Sequence, residues 1–361
     1  MSNKTYNVGV VGYGLSAKIF HIPFINDARS FRLHAIVQRS PKPSDDAAKD
    51  HPEVKVYHST EDLVADSDVD VVVLTTTPAT HHELAIQAMK HGKHVLVEKP
   101  FTPTSEQARD LAKAAKEQKV LLTVYQNRRY DSDFLTLKSL LDANKLGRVV
   151  EFETHFDRHR PEMPAGESWK TKPEDYSAVF DLGTHLMDQV VSLYGLPERI
   201  TGFVGTQRGS RNTTGLEDSF TAIMHYPDNL IATAKAAVVS PEAQQLRYWV
   251  RGEKGSFKKF HLDPQEDQLK TGLRPGQQGY GVENESKFGT LATVGDDGKI
   301  VEERIPTVST NGYTAFYDQF AKALDAKDEK LLPVVPTVAA DVIRLVELVR
   351  QSSQEGRTLT V

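Results

Sequence analysis

The sequence predicts a protein of two domains: a doubly wound α/β domain with a parallel sheet, followed by an α+β domain with a largely antiparallel sheet. The 361 residues are enough for two domains, since a typical domain has about 150 residues. In the first third, short apolar runs alternate with helical segments, and strand patterns dominate beyond it. We therefore expect one domain at residues 1–126 and a second at residues 127–361.

The first domain contains six runs rich in Val, Ile and Leu, as is typical of parallel strands covered on both faces. They are residues 6–11, 33–38, 54–57, 69–75, 94–98 and 120–125. Helix signals separate them: Thr80 followed by Glu83 predicts a capping box, and Thr104 with Gln107 predicts another helix start. This alternation predicts repeated βαβ units.

The second domain combines a few helices with many strands. Helices are predicted at residues 133–144, 181–195, 314–326 and 336–352. Strands are predicted at residues 148–157, 199–206, 220–226, 230–239, 246–251, 256–261, 290–294 and 300–305. The third of these alternates apolar and polar residues, which indicates one buried face. The stretch 272–289 has no clear periodicity and predicts a long surface loop.

Composition excludes several classes of protein. Lys and Arg number 44 against 49 Asp and Glu, so the excess of basic residues that a nucleic-acid binder needs is absent. No apolar run approaches the roughly 20 residues of a membrane-spanning helix. The chain has no cysteine, which excludes disulfides and thiolate sites. We expect a cytoplasmic enzyme that uses neither nucleic acid nor a membrane as a partner.

A glycine fingerprint follows the first strand. The segment reads Gly12-Tyr13-Gly14-Leu15-Ser16-Ala17 and leads into a helix. In a Rossmann domain, Gly12 permits the tight turn, Gly14 lets a pyrophosphate approach the backbone, and Ala17 allows close packing of helix and strand. The alternative is a glycine-rich turn of an unrelated α/β protein. Its position at the first βα junction favours a dinucleotide site that residues 12–15 contact.

The end of the second strand bears on the choice between NAD and NADP. An NAD site usually has an acidic residue about 20 residues beyond the fingerprint, whereas this chain has Gln38-Arg39-Ser40. Arg39 can neutralise a 2′-phosphate and Ser40 can hydrogen-bond it, so we expect NADP. The alternative is that Arg39, like nearby Lys42, is a solvated surface residue.

Lys99 follows the fifth strand, in Glu98-Lys99-Pro100. In a doubly wound sheet the carboxyl ends of the strands line the ligand crevice, so its ammonium group is a candidate to polarise a substrate oxygen. The alternative is that Lys99 is an ordinary surface residue, since a lysine at a strand end is a surface residue about as often as a functional one.

A polar stripe marks the helix that begins near Asp181. At about 100° per residue, Asp181, His185 and Asp188 share a face opposite the main apolar stripe. A histidine with carboxylates one turn before and after it can serve as a general acid or base. The alternative is an ordinary solvated helix face.

We expect no metal site. The 13 histidines include the pairs His81-His82 and His155/His159, but no H-E-x-x-H spacing occurs and no pair has further ligands.

Together these motifs resemble the Gfo/Idh/MocA family of pyridine-nucleotide oxidoreductases over nearly the whole chain. The resemblance rests on the fingerprint, on Thr75-Thr76-Thr77-Pro78 with His81, on Glu98-Lys99-Pro100, and on Asp181 with His185. Four further segments resemble NADP-dependent scyllo-inositol 2-dehydrogenases and their relatives: Phe20-His21-Ile22-Pro23, Gln126-Asn127-Arg128-Arg129, Arg160-Pro161-Glu162 and Gln265-Glu266-Asp267.

The resemblance implies roles for individual residues. Lys99, Asp181 and His185 match the family's catalytic set. Positions that border the nicotinamide half of the cofactor or the substrate are matched by Thr75, Thr76, Thr77, Pro78, His81, Glu98, Asn127 and Arg128. Trp169 matches a tryptophan that closes the cofactor cleft. The chain departs from many relatives where Ser177-Ala178-Val179-Phe180 replaces a glycine-rich approach to the catalytic helix.

Three functions fit this pattern. The first is an NADP(H)-dependent dehydrogenase or reductase that acts on a CH–OH group of a sugar or cyclitol. The second is a non-catalytic dinucleotide-binding regulator that resembles the fungal galactose co-repressor. The third is a glycosidase that reduces and reoxidises its bound NAD in each reaction cycle. Intact Lys99 and His185 favour the first.

The expected substrate is a neutral polyhydroxylated ring, with a scyllo-inositol-like cyclitol as first choice. Its candidate ligands are Lys99, Arg128, Arg158, Arg160, Asp181 and His185. The cluster Arg158-His159-Arg160 leaves a carboxylate or phosphate on the substrate as the alternative. We also expect a homodimer or higher homo-oligomer, formed through an exposed face of the C-terminal sheet.

Overall fold

The computed structural model describes residues 4–166, 169–172, 176–295, 297–309 and 312–361. These residues divide into two compact units. Within the described chain, the first unit comprises residues 4–130, 265–280 and 312–340, and the second comprises 131–264, 281–309 and 341–361. Each unit contains one sheet.

The first unit contains a six-stranded parallel sheet of Rossmann type, as predicted. The strands are β1 (Tyr6–Val11), β2 (Phe31–Val37), β3 (Lys55–Tyr57), β4 (Val71–Leu74), β5 (His94–Val97) and β6 (Leu122–Val124). Their order is β3-β2-β1-β4-β5-β6, so the direction of winding reverses between β1 and β4. A ligand crevice is expected beyond the carboxyl ends of the strands at such a reversal. The fingerprint follows the carboxyl end of β1, and Lys99 follows the carboxyl end of β5.

The chain has ten α-helices within the described residues. They are α1 (Ile22–Asp27), α2 (Ala47–Asp50), α3 (Thr60–Ala65), α4 (Pro78–Lys90), α5 (Ser105–Glu117), α6 (Ser132–Asp142), α7 (Thr184–Tyr194), α8 (Gln265–Lys270), α9 (Thr314–Ala326) and α10 (Pro336–Glu355). None of the described helices is long and apolar enough to cross a membrane.

One of the two predicted helix starts is right and the other is wrong. The Thr104 hydroxyl accepts from the Gln107 N–H at 3.3 Å and caps α5 as predicted. The capping box at Thr80 and Glu83 is wrong, because α4 already begins at Pro78 after the N-cap residue Thr77. Proline is favoured at the first helical position, where its missing N–H leaves no hydrogen bond unmade.

The second unit contains a nine-stranded mixed sheet. Its strands are β7 (Val149–His155), β8 (Arg199–Gly205), β9 (Ser219–His225), β10 (Ile231–Ala236), β11 (Leu246–Gly252), β12 (Gly255–Phe260), β13 (Gly289–Val294), β14 (Ile300–Ile305) and β15 (Leu359–Thr360). The order is β14-β13-β12-β11-β7-β10-β9-β8-β15. Among the described strands of this sheet, only β7 and β10 pair in parallel, which confirms a largely antiparallel sheet.

One face of this sheet packs against helices of the same unit. Along β9, Phe220, Ala222 and Met224 are buried while the residues between them are half-buried, as the alternation predicts. A Cβ atom on Gly202 in β8 would lie only 2.1 Å from the carbonyl oxygen of Val349 in α10, so this contact requires glycine. The stretch 272–288 contains only turns, bends and the 3₁₀ turn Glu285–Lys287, in agreement with the predicted loop.

Candidate active site

The fingerprint turn is built around Gly12. Its φ is +100°, and a Cβ atom there would lie 2.9 Å from Oγ1 of Thr75. The Thr75 hydroxyl donates to the carbonyl oxygens of Val11 and Gly12 at 3.0 and 3.2 Å, so the end of β4 braces the turn. A Cβ atom on Gly14 would meet no described heavy atom within 4 Å. The backbone at Gly14 is therefore open to a close ligand, as the pyrophosphate prediction requires.

The two other fingerprint residues differ in environment. Tyr13 is buried, and its hydroxyl donates to Oδ2 of Asp50 at 2.7 Å. Burial, followed by the contact with Asp50, raises the pKa of Tyr13 above its usual value. Leu15 has a 64% exposed side chain. The structure thus makes Tyr13 part of the packing and leaves Leu15 as the residue with an exposed side chain.

At the end of β2 the amide of Gln38 is used by the protein. Its Nε2 donates to the carbonyl oxygen of Asp45 at 2.8 Å, and its Oε1 accepts from the Ala47 N–H at 2.7 Å. Gln38 therefore shapes the loop instead of offering its amide to a phosphate. Arg39 and Ser40 are exposed, and among the described residues no group forms an ion pair with the Arg39 guanidinium.

The loop after β4 is tied to the loop after β5 by His81. The ring is buried, with Nδ1 at 3.1 and 3.0 Å from the carbonyl oxygens of Pro100 and Phe101, and Nε2 at 3.1 Å from that of Thr76. Burial lowers the pKa of His81 although the carbonyls act in the opposite direction. Because backbone groups surround both ring nitrogens, the structure gives His81 a role in holding the loop between Thr75 and Pro78 in place.

Glu98 lies directly before Lys99 and is buried. Its Oε1 accepts from the Ser16 hydroxyl and, at 2.9 Å, from Nε2 of His21, while its Oε2 accepts from the Lys99 N–H at 2.8 Å. Lys99 itself is half-buried, and the peptide bond to Pro100 is cis. Glu98 therefore connects Ser16 of the fingerprint and His21 with the backbone of Lys99.

Asn127 and Arg128 lie in the 3₁₀ turn Asn127–Tyr130 after β6, and both are buried. Arg128 forms an ion pair through Nη2 with Glu266 of α8. The sequence pointed to Glu266 only through the resemblance, because its partner is 138 positions away. This ion pair offsets the positive charge that Arg128 would otherwise bring to a ligand.

Asp181 and His185 belong to the second unit, where the π-helical turn Val179–Gly183 precedes α7. Asp181, His185 and Asp188 are only 4%, 5% and 1% exposed, so the polar stripe is buried and is not a solvated helix face. The uniform spacing of about 100° per residue is wrong across the π turn, since hydrogen bonds there span five residues. The chain thus buries two carboxylates and an imidazole on one helix.

Asp181 and Trp169 are linked through Lys170. The Nζ atom of Lys170 lies 2.7 Å from Oδ2 of Asp181 and 5.1 Å from the centroid of the Trp169 ring. The Trp169 ring contacts Phe180 edge-on, with centroids 6.4 Å apart. Trp169 is half-buried and packs beside the π turn that carries Asp181. Lys170, which the sequence did not single out, supplies a positive charge to the Asp181 carboxylate.

In the segment after β7, the side chains of Arg158 and Arg160 differ in burial. The Arg158 guanidinium lies 4.4 Å from the centroid of the Phe156 ring and its side chain is half-buried, whereas His159 and Arg160 are exposed. The side chains of Arg158, His159 and Arg160 therefore do not share one environment.

A buried arginine, Arg247 of β11, reaches α7 from the sheet. It donates to Asp133, Thr154 and Gln189 at 3.0, 3.0 and 2.9 Å. The sequence did not single it out, although Arg247 stands directly beside the run Tyr248-Trp249-Val250 of a predicted strand. Gln189 lies one turn beyond His185, so Arg247 anchors this part of the buried polar stripe.

One group of described residues has the spacing of metal ligands: His34, Asp66 and Asp68, with ligand atoms within 4.8 Å of one another. Asp66 already accepts from Lys55, Tyr57 and His34. None of these residues belongs to the predicted site.

Two models of one protein family match most of the chain. Residues 6–126 match the family model described as "Oxidoreductase family, NAD-binding Rossmann fold". Residues 138–361 match the model described as "Oxidoreductase family, C-terminal alpha/beta domain". An uncharacterized oxidoreductase, C115.03 of Schizosaccharomyces pombe, is 36% identical over 97% of this chain and 98% of its own. The scyllo-inositol 2-dehydrogenase (NADP(+)) IolW of Bacillus subtilis is 34% identical over 98% of this chain and 96% of its own.

A solved structure has the same fold over the whole chain. The putative oxidoreductase yvaA from Bacillus subtilis superposes with a TM-score of 0.91 at 31% identity, and the match covers 100% of this chain and 99% of that one.

Proposed function

Because the chain belongs to the Gfo/Idh/MocA oxidoreductase family, as its motifs predicted, we propose that it is an NADP(H)-dependent dehydrogenase or reductase. Its reaction would transfer a hydride between the nicotinamide and a CH–OH or ketone carbon of a cyclitol or sugar. The observation that carries the proposal is the burial of Asp181 and His185 on one helix. An ionisable pair is expensive to bury unless it is compensated, and such pairs cluster at functional sites.

The residues of the first unit fit a dinucleotide. The turn at Gly12 and the open backbone at Gly14 suit a pyrophosphate, with Thr75, Thr76, Thr77 and Pro78 nearby along the same sheet edge. Asn127 and Arg128 follow β6, the edge strand of the same sheet. Arg39 and Ser40 would hold the 2′-phosphate, and their exposure without a described partner for Arg39 supports NADP over NAD. When bound, the cofactor supplies or accepts the hydride.

The protein's own groups would handle the proton. In the oxidation direction, the imidazole of His185 takes the proton of the substrate hydroxyl. The Asp181 carboxylate, held by Lys170, stabilises the resulting imidazolium. The Nζ atom of Lys99 donates a hydrogen bond to the substrate oxygen and stabilises negative charge that develops there. Reduction reverses these roles.

The substrate class follows from the charges of the candidate ligands. Arg128 is paired with Glu266, which leaves less free positive charge than the sequence suggests. This balance favours a neutral polyhydroxylated ring over a carboxylate or phosphate. The similar protein IolW is named a scyllo-inositol 2-dehydrogenase (NADP(+)), which makes scyllo-inositol and its ketone the first substrates to test.

A homodimer or higher oligomer is part of the proposal. The register across β8, β9 and β10 places Phe203 and Ile231 on the face opposite Ala222 and Ala232, and these two side chains are 59% and 41% exposed. Exposed apolar groups on one sheet face are typical of an interface between copies. Light scattering that gives only a monomer at micromolar concentration would contradict this.

The test of the reaction itself is isotope transfer. With NADPH deuterated at the transferable position of C4, the product alcohol should carry deuterium on the carbon that bears the new hydroxyl. A product without deuterium would exclude hydride transfer.

A further inference from the structure

His21 is fully buried at the end of the π-helical segment Ala17–His21, and none of the proposed catalytic steps uses it. Its Nδ1 lies 2.7 Å from the hydroxyl of Tyr317, and its Nε2 lies 2.9 Å from Oε1 of Glu98. Tyr317, in α9, is also buried. A buried polar chain of this kind is unfavourable unless every member is bonded, and here the imidazole is bonded on both sides.

Glu98 is the end of this chain nearest to Lys99. Its carboxylate accepts three hydrogen bonds, from Ser16, His21 and the Lys99 N–H. Burial by itself raises the pKa of Glu98, but His21, Ser16 and Lys99 together hold it below its usual value. An ionised carboxylate therefore connects Ser16 and His21 with the backbone N–H of Lys99, the residue proposed to polarise the substrate oxygen.

Glu98 and Tyr317 contact the two ring nitrogens of His21, one on each side. Burial and the charge of Glu98 raise the pKa of Tyr317 far above its usual value, so the phenol keeps its proton. A carboxylate can only accept, so Nε2 carries the hydrogen that Glu98 receives. Nδ1, on the other side of the ring, lies within hydrogen-bond distance of the Tyr317 hydroxyl, which can donate to it. Tyr317 thus favours the tautomer that donates to Glu98.

We propose that His21 is a positioning residue for Lys99. It holds the Glu98 carboxylate against the Lys99 N–H, so that Lys99 meets the substrate oxygen in a fixed position, and Tyr317 keeps the ring in the required tautomer. Ser16 donates to the same carboxylate, which connects this support to the fingerprint. The inference rests on the proposed function because it assumes that Lys99 acts on the substrate.

Two amide substitutions at His21 test the contact of Nε2 with Glu98 separately from the contact of Nδ1 with Tyr317. In His21→Gln the terminal amide reaches about as far as Nε2 and can still donate to Glu98, whereas in His21→Asn it reaches only about as far as Nδ1. Both variants replace the imidazole by a neutral amide in the same buried position. They therefore form a matched pair that differs in whether Glu98 keeps its donor.

We expect His21→Asn to lower kcat about 10²-fold with little change in KM for NADP(H), since a small displacement of a catalytic group has an effect of that order. His21→Gln should recover most of this loss. An unchanged kcat in His21→Asn, or equal losses in the two variants, would overturn the proposal. If His21→Asn does not fold, Tyr317→Phe replaces it and should lower kcat about tenfold; an unchanged kcat would again overturn the proposal.

A crystal structure of the His21→Asn variant gives a readout that does not depend on turnover. The proposal predicts that Glu98 leaves the Lys99 N–H in that variant and stays within 2.8 Å of it in the unmodified protein. A carboxylate that keeps this bond without His21 would overturn the proposal. If the unmodified protein turns over no polyol, the proposed function is wrong, and the crystal structure still decides the role of His21.

Discussion

Arg247 donates from Nη2 to Oε1 of Gln189 across 2.9 Å, one helical turn beyond His185. The same guanidinium donates to Asp133 at 3.0 Å, and both members of that ion pair are 1% exposed or less. A buried ion pair is favourable only when its remaining donors are bonded, and Arg247 also bonds Thr154. The arrangement fastens α7 to the sheet next to the proposed acid/base residue.

Arg247→Ala should lower the free energy of unfolding by about 3–5 kcal/mol, because it leaves the Asp133 carboxylate buried without its counter-charge. Urea unfolding measures the change. Arg148→Ala is the matched control, since Arg148 pairs with Glu253 at a half-exposed position and should contribute no more than about 1 kcal/mol. Equal losses in the two variants would show that the buried network does not stabilise the fold.

Arg39→Ala should weaken NADPH binding about 10–100-fold and leave NADH binding unchanged, since a hydrogen bond between charged groups contributes about 1.5–3 kcal/mol. Fluorescence titration gives both dissociation constants. Lys42→Ala, another exposed cation in the same loop, is the control and should change neither. The NADP assignment fails if the unmodified protein binds the two cofactors equally well.

Lys99→Ala and His185→Ala should each lower kcat by about 10²–10⁴-fold, the usual contribution of a positioned acid/base group. NADP affinity and circular dichroism should stay near those of the unmodified protein. Steady-state kinetics at saturating substrate measure kcat for each variant separately. A variant that retains near-normal turnover removes its residue from the proposed mechanism.

Both sheets could be predicted because most of their strands have a recognisable local sequence pattern. Every strand of the parallel sheet was expected from a short apolar run, and β9 from alternation alone. The strand β15, only two residues long, was missed because it forms by pairing with β8 and has no pattern of its own. The π-helical turns were also missed, because apolar spacing in a few residues does not distinguish them from α-helix.

The candidate site was predicted less completely, since its supporting contacts are distant in the chain. The motifs identified Lys99, Asp181 and His185 as candidates. They could not reveal that His21 bonds Tyr317, because the two are 296 positions apart. Nor could they show that Gln38 is occupied by its own loop. Burial of the polar stripe on α7 likewise depends on the packing around it.

His94 should make the protein less stable in acid. Its Nδ1 accepts from the Leu121 N–H at 2.9 Å, and burial, with Lys4 and Lys327 adding to it, lowers its pKa to about 4. The unfolded chain, with a histidine pKa near 6.5, therefore binds more protons, and stability is lost as the pH falls from about 6.5 towards 4. Below that range the loss from this residue approaches roughly 3 kcal/mol.

His94→Asn tests this, because asparagine keeps an acceptor for Leu121 and does not titrate. Urea unfolding between pH 7 and pH 4 should show a shallower loss of stability in the variant. The exposed residue His159 provides the control variant His159→Asn, whose profile should follow that of the unmodified protein. Identical profiles for all three proteins would contradict the role of His94.

We propose that the protein oxidises and reduces a neutral polyhydroxylated ring with NADP(H). The most direct measurement is kcat/KM, followed by nicotinamide absorbance, for cyclitols, hexoses, sugar acids, sugar phosphates and simple carbonyl compounds, each with NADP(H) and NAD(H). The account predicts the highest value for a cyclitol or hexose with NADP(H), and its loss in His185→Ala. A clear preference for a charged sugar or a non-carbohydrate carbonyl, or no net change in absorbance with any polyol, would contradict it.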